Sequence, residues 1–525
     1  MRCTPTTRWP FVAMLMLLTF LSGAADAQLQ QNILRVRLNA DIRSTDPGVN
    51  RDANTDAVES HILEGLVAFK EDTSVGPLLA QSVSSSADGK VYTFKLRPGL
   101  KFSNGAPLTA ADVVFSWNRY MKPETNWRCL SEFDGHGQSK VLKTEAKDEL
   151  TVLFTLDKPS PLFLTTLART DCGGTGIYHR DSLDAQGKWK APIGTGPFTL
   201  GEWKRSQYIE LLPNLSYGSL PGKRDGNTGA KSANVSKVRF VVIPDSSAAK
   251  AAVLSDGVDL IPDIADEDLA EYKTRKDVVV TSAPSMDQSG FLFQTRDPLL
   301  KDARIRRALA LSLDIPQLVE TVTEGGSPPS RSPIPKSSPF YGPAQANIPA
   351  RNVAEARRLL AEAGYKGTPI KILTTKRYAN LFTAAVLAQA MAQEAGIKID
   401  VEVIDWATLL DRYSRGDFQM MSFTYSARLD PSLSYTMFTG SKEAQAHNLW
   451  DDKEAIDLVA RSMETLDKAQ RQALFDKLDV KLRTEVPAIW LYSKVRFSVA
   501  KSYVKGYAGW PLGQPRSWGV SLQKQ

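Results

Sequence analysis

Between Asn352 and Tyr425 the apolar positions change their period again and again, and the order of the changes predicts a parallel sheet. Val353, Ala356, Leu359, Leu360 and Ala363 recur at helical spacing behind an Asn352-x-x-Glu355 capping pattern, and Gly364 ends the run. Ile370 to Thr375 reads as a strand, Leu381 to Glu394 as a helix, and Gly396 as its stop. Ile397, Ile399, Val401 and Val403 alternate with polar residues, so a strand runs to Ile404. Trp406 to Arg415 predicts a short helix and Phe418 to Tyr425 a third strand. Strand, helix, strand, helix, strand implies a parallel sheet with right-handed crossovers. Ligands of such open sheets bind outside the carboxyl ends of the strands. The loops that leave those ends are Lys376-Arg377-Tyr378, Asp405-Trp406 and Ser426 to Pro431. Arginines, aromatics and acids gathered at one edge suit a polar or charged small solute, and a plain solvated rim is the alternative.

The rest of the chain continues the α/β pattern. Val91 to Leu96 alternates β-formers and ends in the turn Arg97-Pro98-Gly99. Thr109-x-x-Asp112 is a capped helix start, followed by Val113, Val114, Trp117 and Tyr120 on roughly one face. Gly194 to Pro197 marks a tight turn before a strand from Phe198 to Trp203. Pro221 to Ser236, rich in Gly, Lys, Asn and Ser, reads as a surface loop before a strand from Val238 to Ile243.

Composition narrows the class. Arg2 and Arg8, the apolar run Phe11 to Leu21 and Ala25-Asp26-Ala27 make a signal peptide over residues 1–27, with the mature chain expected to start at Gln28. The apolar run is too short to cross a bilayer as an anchor. A chain of 525 residues is too long for one ordinary core and predicts two or three lobes. The formal charge of +7 arises from 65 basic and 58 acidic residues, with no basic run interleaved with aromatics, so nucleic acid is not an expected partner. Cys3 leaves with the signal peptide. Cys129 and Cys172 then form an even pair in an oxidising compartment, read as a disulfide rather than two buried thiols. The four histidines are scattered and no C-x-x-C occurs, so no metal site is expected.

Several segments in order resemble the periplasmic solute-binding proteins for peptides and nickel, extracellular solute-binding family 5. They are Ser44-Thr45-Asp46-Pro47 with Ile62 to Val67, Tyr92 to Phe102 running on to Leu108 to Ser116, and Gly194 to Phe198. Asp256 to Asp259, Arg304 to Leu309, Ala354 to Tyr365 and Pro487 to Tyr492 complete the set, which spans nearly the whole chain after the signal peptide. The resemblance implies a two-lobed α/β fold. Lobe I would be residues 28–283 plus 492–525, with an extra subdomain near 70–190, and lobe II residues 284–491. It implies a monomer that encloses a peptide or related small solute between its lobes and delivers it to an ABC transporter permease. No cofactor and no catalytic residue are implied.

In dipeptide-binding relatives an arginine just after the first of the parallel strands grips the ligand carboxylate, with a tyrosine nearby, and Arg377 and Tyr378 stand there. An aspartate three residues before an acidic-Pro pair binds the peptide amine. Asp430-Pro431 is the matching pair, which puts Ala427 at that position and Arg428 beside it. The expected ligand therefore carries an anionic group and no free amine near Ala427. Arg169 and Thr170, within residues 168–174, fall where relatives present a subdomain loop to the ligand, and Trp406 is expected to report on binding. An opine or a metal-chelator complex is an alternative solute, and a sensor subunit an alternative role. The enzymatic rival rests on Ser247-Ala248-Ala249-Lys250, which matches the S-x-x-K of serine acyl-transferases, but no K-T-G exists and Ser255-Asp256-Gly257 follows too soon.

Overall fold

The computed structural model describes residues 32–49, 53–137, 139–426 and 428–523. The proposed signal peptide, Gln28 and Ala427 lie outside the described residues.

One mixed sheet of ten strands runs through the molecule. Its centre is a pair of long antiparallel strands, Val278–Phe293 and Ala488–Lys501. Each contributes one half to either side of the molecule. Val278 to Pro284 pairs with Val495 to Lys501, and Gln288 to Leu292 pairs with Ala488 to Ser493. The register breaks between Pro284 and Gln288, where proline has no N–H to give to a ladder. Beyond the second strand come Leu260–Ile261, Ile33–Leu38, Lys237–Val242, Tyr208–Pro213 and Phe198–Lys204. Beyond the first come Met420–Tyr425, Ile370–Thr374 and Ile399–Val403.

The predicted parallel unit is present: Ile370–Thr374 pairs in parallel with both Ile399–Val403 and Met420–Tyr425. Its helices are Ala379–Gln393 and Trp406–Arg415. The third strand starts two residues later than the pattern predicts. Gly416 closes the helix in the left-handed region, and Asp417 is held in the turn by its N–H to the Arg412 carbonyl at 2.9 Å. Asn352 caps the helix Val353–Glu362 by accepting from the Glu355 N–H at 3.0 Å. Thr109 opens Ala110–Tyr120, its N–H donating to the Asp112 carboxylate at 2.9 Å.

A second sheet of four antiparallel strands, Ala80–Ser85, Val91–Leu96, Thr151–Leu156 and Val141–Asp148, carries that helix. Phe94, Trp117, Phe133 and Phe154 join the main-sheet residues Leu34, Val36 and Phe240 in one continuous core. Separate cores line the two faces of the parallel unit, one around Ile372 and Ala388 and another around Phe423, Tyr435 and Trp490.

The segment Pro221 to Ser236 corrects the sequence reading. It is no simple surface loop: Asn227, Thr228 and Lys231 are buried. The Lys231 Nζ donates to Glu64 at 2.8 Å, with both side chains 1% exposed or less. At Gly226, in the left-handed region, an added Cβ would lie 2.3 Å from the Lys70 backbone, so only glycine fits the close approach. Polar composition signalled exposure, but Lys231 pairs with Glu64 and the Thr228 hydroxyl donates to the Asp225 carbonyl at 2.7 Å, which offsets the desolvation cost that normally keeps such residues outside.

Candidate functional site

The strand-end loops of the parallel unit gather most of the predicted residues. Tyr378 precedes the helix Ala379–Gln393, and its ring meets Trp406 edge-on at 5.0 Å. The Arg377 guanidinium lies 5.7 Å from the Tyr378 ring centre. Arg377 is exposed, and its side chain has no carboxylate or hydrogen-bond partner among the described residues. Trp406 is the first residue of its helix, which Asp405 caps by accepting from the Thr408 N–H at 3.0 Å. Behind Trp406 an aromatic stack continues inward: Phe423 at 5.8 Å, then Tyr413 at 4.9 Å from Phe423, whose hydroxyl meets that of Tyr425 at 3.0 Å.

Arg428 leaves the third strand and faces the other lobe. Its Nη1 donates to Ser426 at 3.0 Å. Burial and the charge of Arg169 lower its pKa, while Asp171, Glu132 and Asp287 oppose the shift. Arg428 and Arg169, 259 positions apart in the chain, therefore share one electrostatic neighbourhood across the lobes. Leu429 beside it packs against the lobe I core. Two further contacts join the lobes: the Thr73 hydroxyl donates to the Ser337 carbonyl at 3.3 Å, and Leu466 lies against Gly89.

Arg169 differs from Arg377. Its fork bonds both oxygens of Asp171, at 3.0 and 2.8 Å, and a third nitrogen reaches Glu132 at 2.7 Å. These carboxylates raise its pKa against the opposing effect of burial. Thr170 opens the turn Thr170–Thr175, which a disulfide between Cys129 and Cys172 anchors with Cα atoms 5.6 Å apart. Trp127 stacks on Phe133 at 5.5 Å and donates its indole N–H to the Cys172 carbonyl at 3.0 Å. Gly173 has φ of +70°, and a Cβ there would approach the Gly48 nitrogen to 2.8 Å.

Asp430 is held away from the role of a mobile ligand contact. It is 4% exposed, caps the helix Pro431–Thr436 through the Ser432 N–H at 2.9 Å, and pairs with Arg471 at 2.7 Å. The sequence reading missed Tyr413 and Tyr425 as part of the aromatic stack, and Asn380, whose amide donates to the Tyr492 hydroxyl at 2.8 Å. Only the aromatic content of the stretch from Trp406 to Tyr425 hinted at the former. In the rival S-x-x-K segment, Lys250 pairs with Asp268 at 2.8 Å and Glu271 at 2.5 Å. Both partners raise its pKa, the wrong direction for a base that must activate Ser247.

Two lobes joined through a pair of long shared strands, with basic and aromatic side chains at the strand ends of the parallel unit, define a two-lobed periplasmic binding protein. The chain belongs to the bacterial extracellular solute-binding proteins, family 5, whose middle-region model matches residues 74–446. It is 27% identical to heme-binding protein A of Haemophilus influenzae, covering 89% of this chain and 88% of that protein. It is 26% identical to the dipeptide-binding protein of Escherichia coli, covering 89% and 90%. The solved structure of HbpA2 from Haemophilus parasuis superposes with a TM-score of 0.81 at 25% identity, over 94% of this chain and all of that one. Substrate binding for import is the role this family defines. No helix among the described residues is long and apolar enough to cross a membrane.

Proposed function

We propose that this chain, exported to the periplasm and freed of residues 1–27, captures a small anionic solute as a monomer and hands it to the permease of an ABC importer. The observation that carries the reading is the unpaired guanidinium of Arg377, set beside Tyr378 and Trp406 at the carboxyl end of Ile370–Thr374. A planar fork of donors with no internal carboxylate matches a carboxylate bidentately, and the neighbouring rings give it an apolar flank. Thr170 and the neutralised Arg169 form the facing wall, with Arg428 on the same lobe as Arg377. Peptide-like solutes with a free amine near Ala427 are disfavoured, because Arg428 repels the ammonium and buried Asp430 is tied to Arg471.

The lobe boundaries proposed from the sequence, 283/284 and 491/492, have support in two register breaks between the long strands, one between Pro284 and Gln288 and one between Ser289 and Gly290, opposite Tyr492 and Trp490. Bending there moves lobe II as a body. Ligand then stabilises the closed form to the extent that it binds that form more tightly. Small-angle scattering with the solute released from natively exported protein, identified by mass spectrometry, tests this. The radius of gyration falls and Trp406 emission changes as solute is added. A profile unchanged at saturation rules closure out.

A further inference from the structure

Behind the turn Thr170–Thr175, lobe I encloses a small cavity whose polar lining is short of hydrogen-bond donors. Asp56, Glu59, Glu64, Asn227 and Lys231 line it, with Gly173 and Gly174 forming part of its roof. Its volume is about 30 Å³, room for a guest the size of one or two water molecules. Two of the three acids are answered. Asp56 takes the Arg128 guanidinium at 2.8 and 3.0 Å. Glu64 takes Lys231 at 2.8 Å and the Tyr217 hydroxyl at 3.1 Å.

Glu59 is different. It ends the helix Ala53–Glu59, is 2% exposed, and among the described residues neither of its carboxyl oxygens has a hydrogen-bond partner of good geometry. The side-chain oxygen of Asn227 is buried and unpartnered in the same lining. All three orphan atoms are acceptors, so the cavity calls for a donor or a cation. Arg128 pairs with Asp56 and Lys231 with Glu64, and neither makes a hydrogen bond to Glu59. A divalent ion does not fit. Among the described residues the one set of side-chain atoms close enough for a metal is Cys129, Asp171 and Cys172, and those cysteines are disulfide-bonded.

We infer that this cavity is a binding site for one monovalent cationic group of about the size of a water molecule, held by the Glu59 carboxylate and the Asn227 side-chain oxygen. The group is either a free alkali or ammonium ion, or the primary ammonium of the transported solute entering past Thr170. Burial, with Asp56 and Asp46 nearby, raises the Glu59 pKa well above its usual range, although Arg128 and the Gly48 N–H oppose this. That shift favours the protonated form while the site is empty. Cation entry reverses that preference: a proton held by Glu59 passes to solvent as the cation enters, leaving a carboxylate–cation pair.

The test uses the full exported chain, stripped of solute, so that its outcome is independent of the solute proposal. Thermal unfolding is followed in choline, potassium, ammonium and methylammonium chloride at equal ionic strength. Choline is too large for the cavity and serves as the reference. The wild-type midpoint is expected to rise by about 1–2 °C in potassium or ammonium over choline. Glu59→Gln, neutral and nearly isosteric, is expected to show no difference. Methylammonium matching ammonium assigns the site to a solute-borne ammonium, since the mouth must then admit the attached carbon. Methylammonium behaving as choline does assigns it to a free ion. Equal midpoints in all four salts, or a difference that survives Glu59→Gln, overturns the inference. If the variant does not fold, the wild type decides alone: potassium addition in weak buffer, stepped from about pH 5 to pH 8, releases up to about one proton per chain within that range, and no release at any step overturns it.

Discussion

The two arginines proposed for the opposing walls of the site stand in opposite conditions. In lobe I, Arg169 is clasped by Asp171 and Glu132 on a turn braced by a disulfide. In lobe II, Arg377 projects from a strand-end loop with an aromatic neighbour and no carboxylate among the described residues. A guanidinium whose donors are already taken positions its surroundings, whereas one whose donors are free can grip a guest. The contrast teaches that an arginine at a predicted site says little until its partners are known. Arg428 lies between these cases, near lobe I acids and bonded to Ser426.

Breaking the brace of the first wall has the largest expected effect. Replacing Cys129 and Cys172 together with serine opens a loop of sequence separation 43 and lowers stability by about 4 kcal/mol on the chain-entropy model. Denaturant titration of the oxidised wild type and the double variant measures it, and equal midpoints would remove the brace from the account.

Next comes the arginine on that wall. Arg169→Ala leaves Glu132 and Asp171 without their common partner at half-buried positions, where the loss is about 1–2 kcal/mol. Arg169→Lys restores the charge but not the fork, and is expected to recover part of the loss. A variant as stable as wild type, but defective in solute binding, would move Arg169 into the gripping role assigned to Arg377.

A further effect distinguishes lobe II by pH. Burial raises the Asp479 pKa to about 6, against the lowering influence of Ser332 and Arg483. Its folded pKa thus lies above the unfolded one, so the unfolded chain gives up this proton first as pH rises. Stability from this group is present at acid pH, falls between about pH 4 and 6, and is level above that. Asp479→Asn flattens this part of the profile, which urea titrations at stepped pH can follow. An unchanged slope in the variant would assign the titration elsewhere.

Much of the fold was legible because it rests on local periodicity. The helices after Asn352 and Thr109 begin at their capping residues, and the three parallel strands lie where apolar runs or alternation put them. The disulfide followed from cysteine parity and compartment. What could not be read were pairings set by tertiary approach. Arg471 reaches Asp430 across 41 positions, and Lys231 reaches Glu64 across 167. Each removes a residue that composition had marked as exposed or available. The aromatic stack through Tyr413 was hidden for a similar reason: a tyrosine on an amphipathic helix gives no sign of which ring it will meet. Within the candidate site, the strand-end loops were legible from topology, and the saturation of Arg169 was not.

The most direct test of the contrast between the walls is calorimetric titration of the solute released from natively exported protein into wild type and Arg377→Ala, with thermal midpoints measured alongside. The account predicts affinity weaker by about 10- to 100-fold, the worth of one charge-assisted bidentate contact, with an unchanged midpoint. An Arg377→Ala protein that binds its solute undiminished would contradict it.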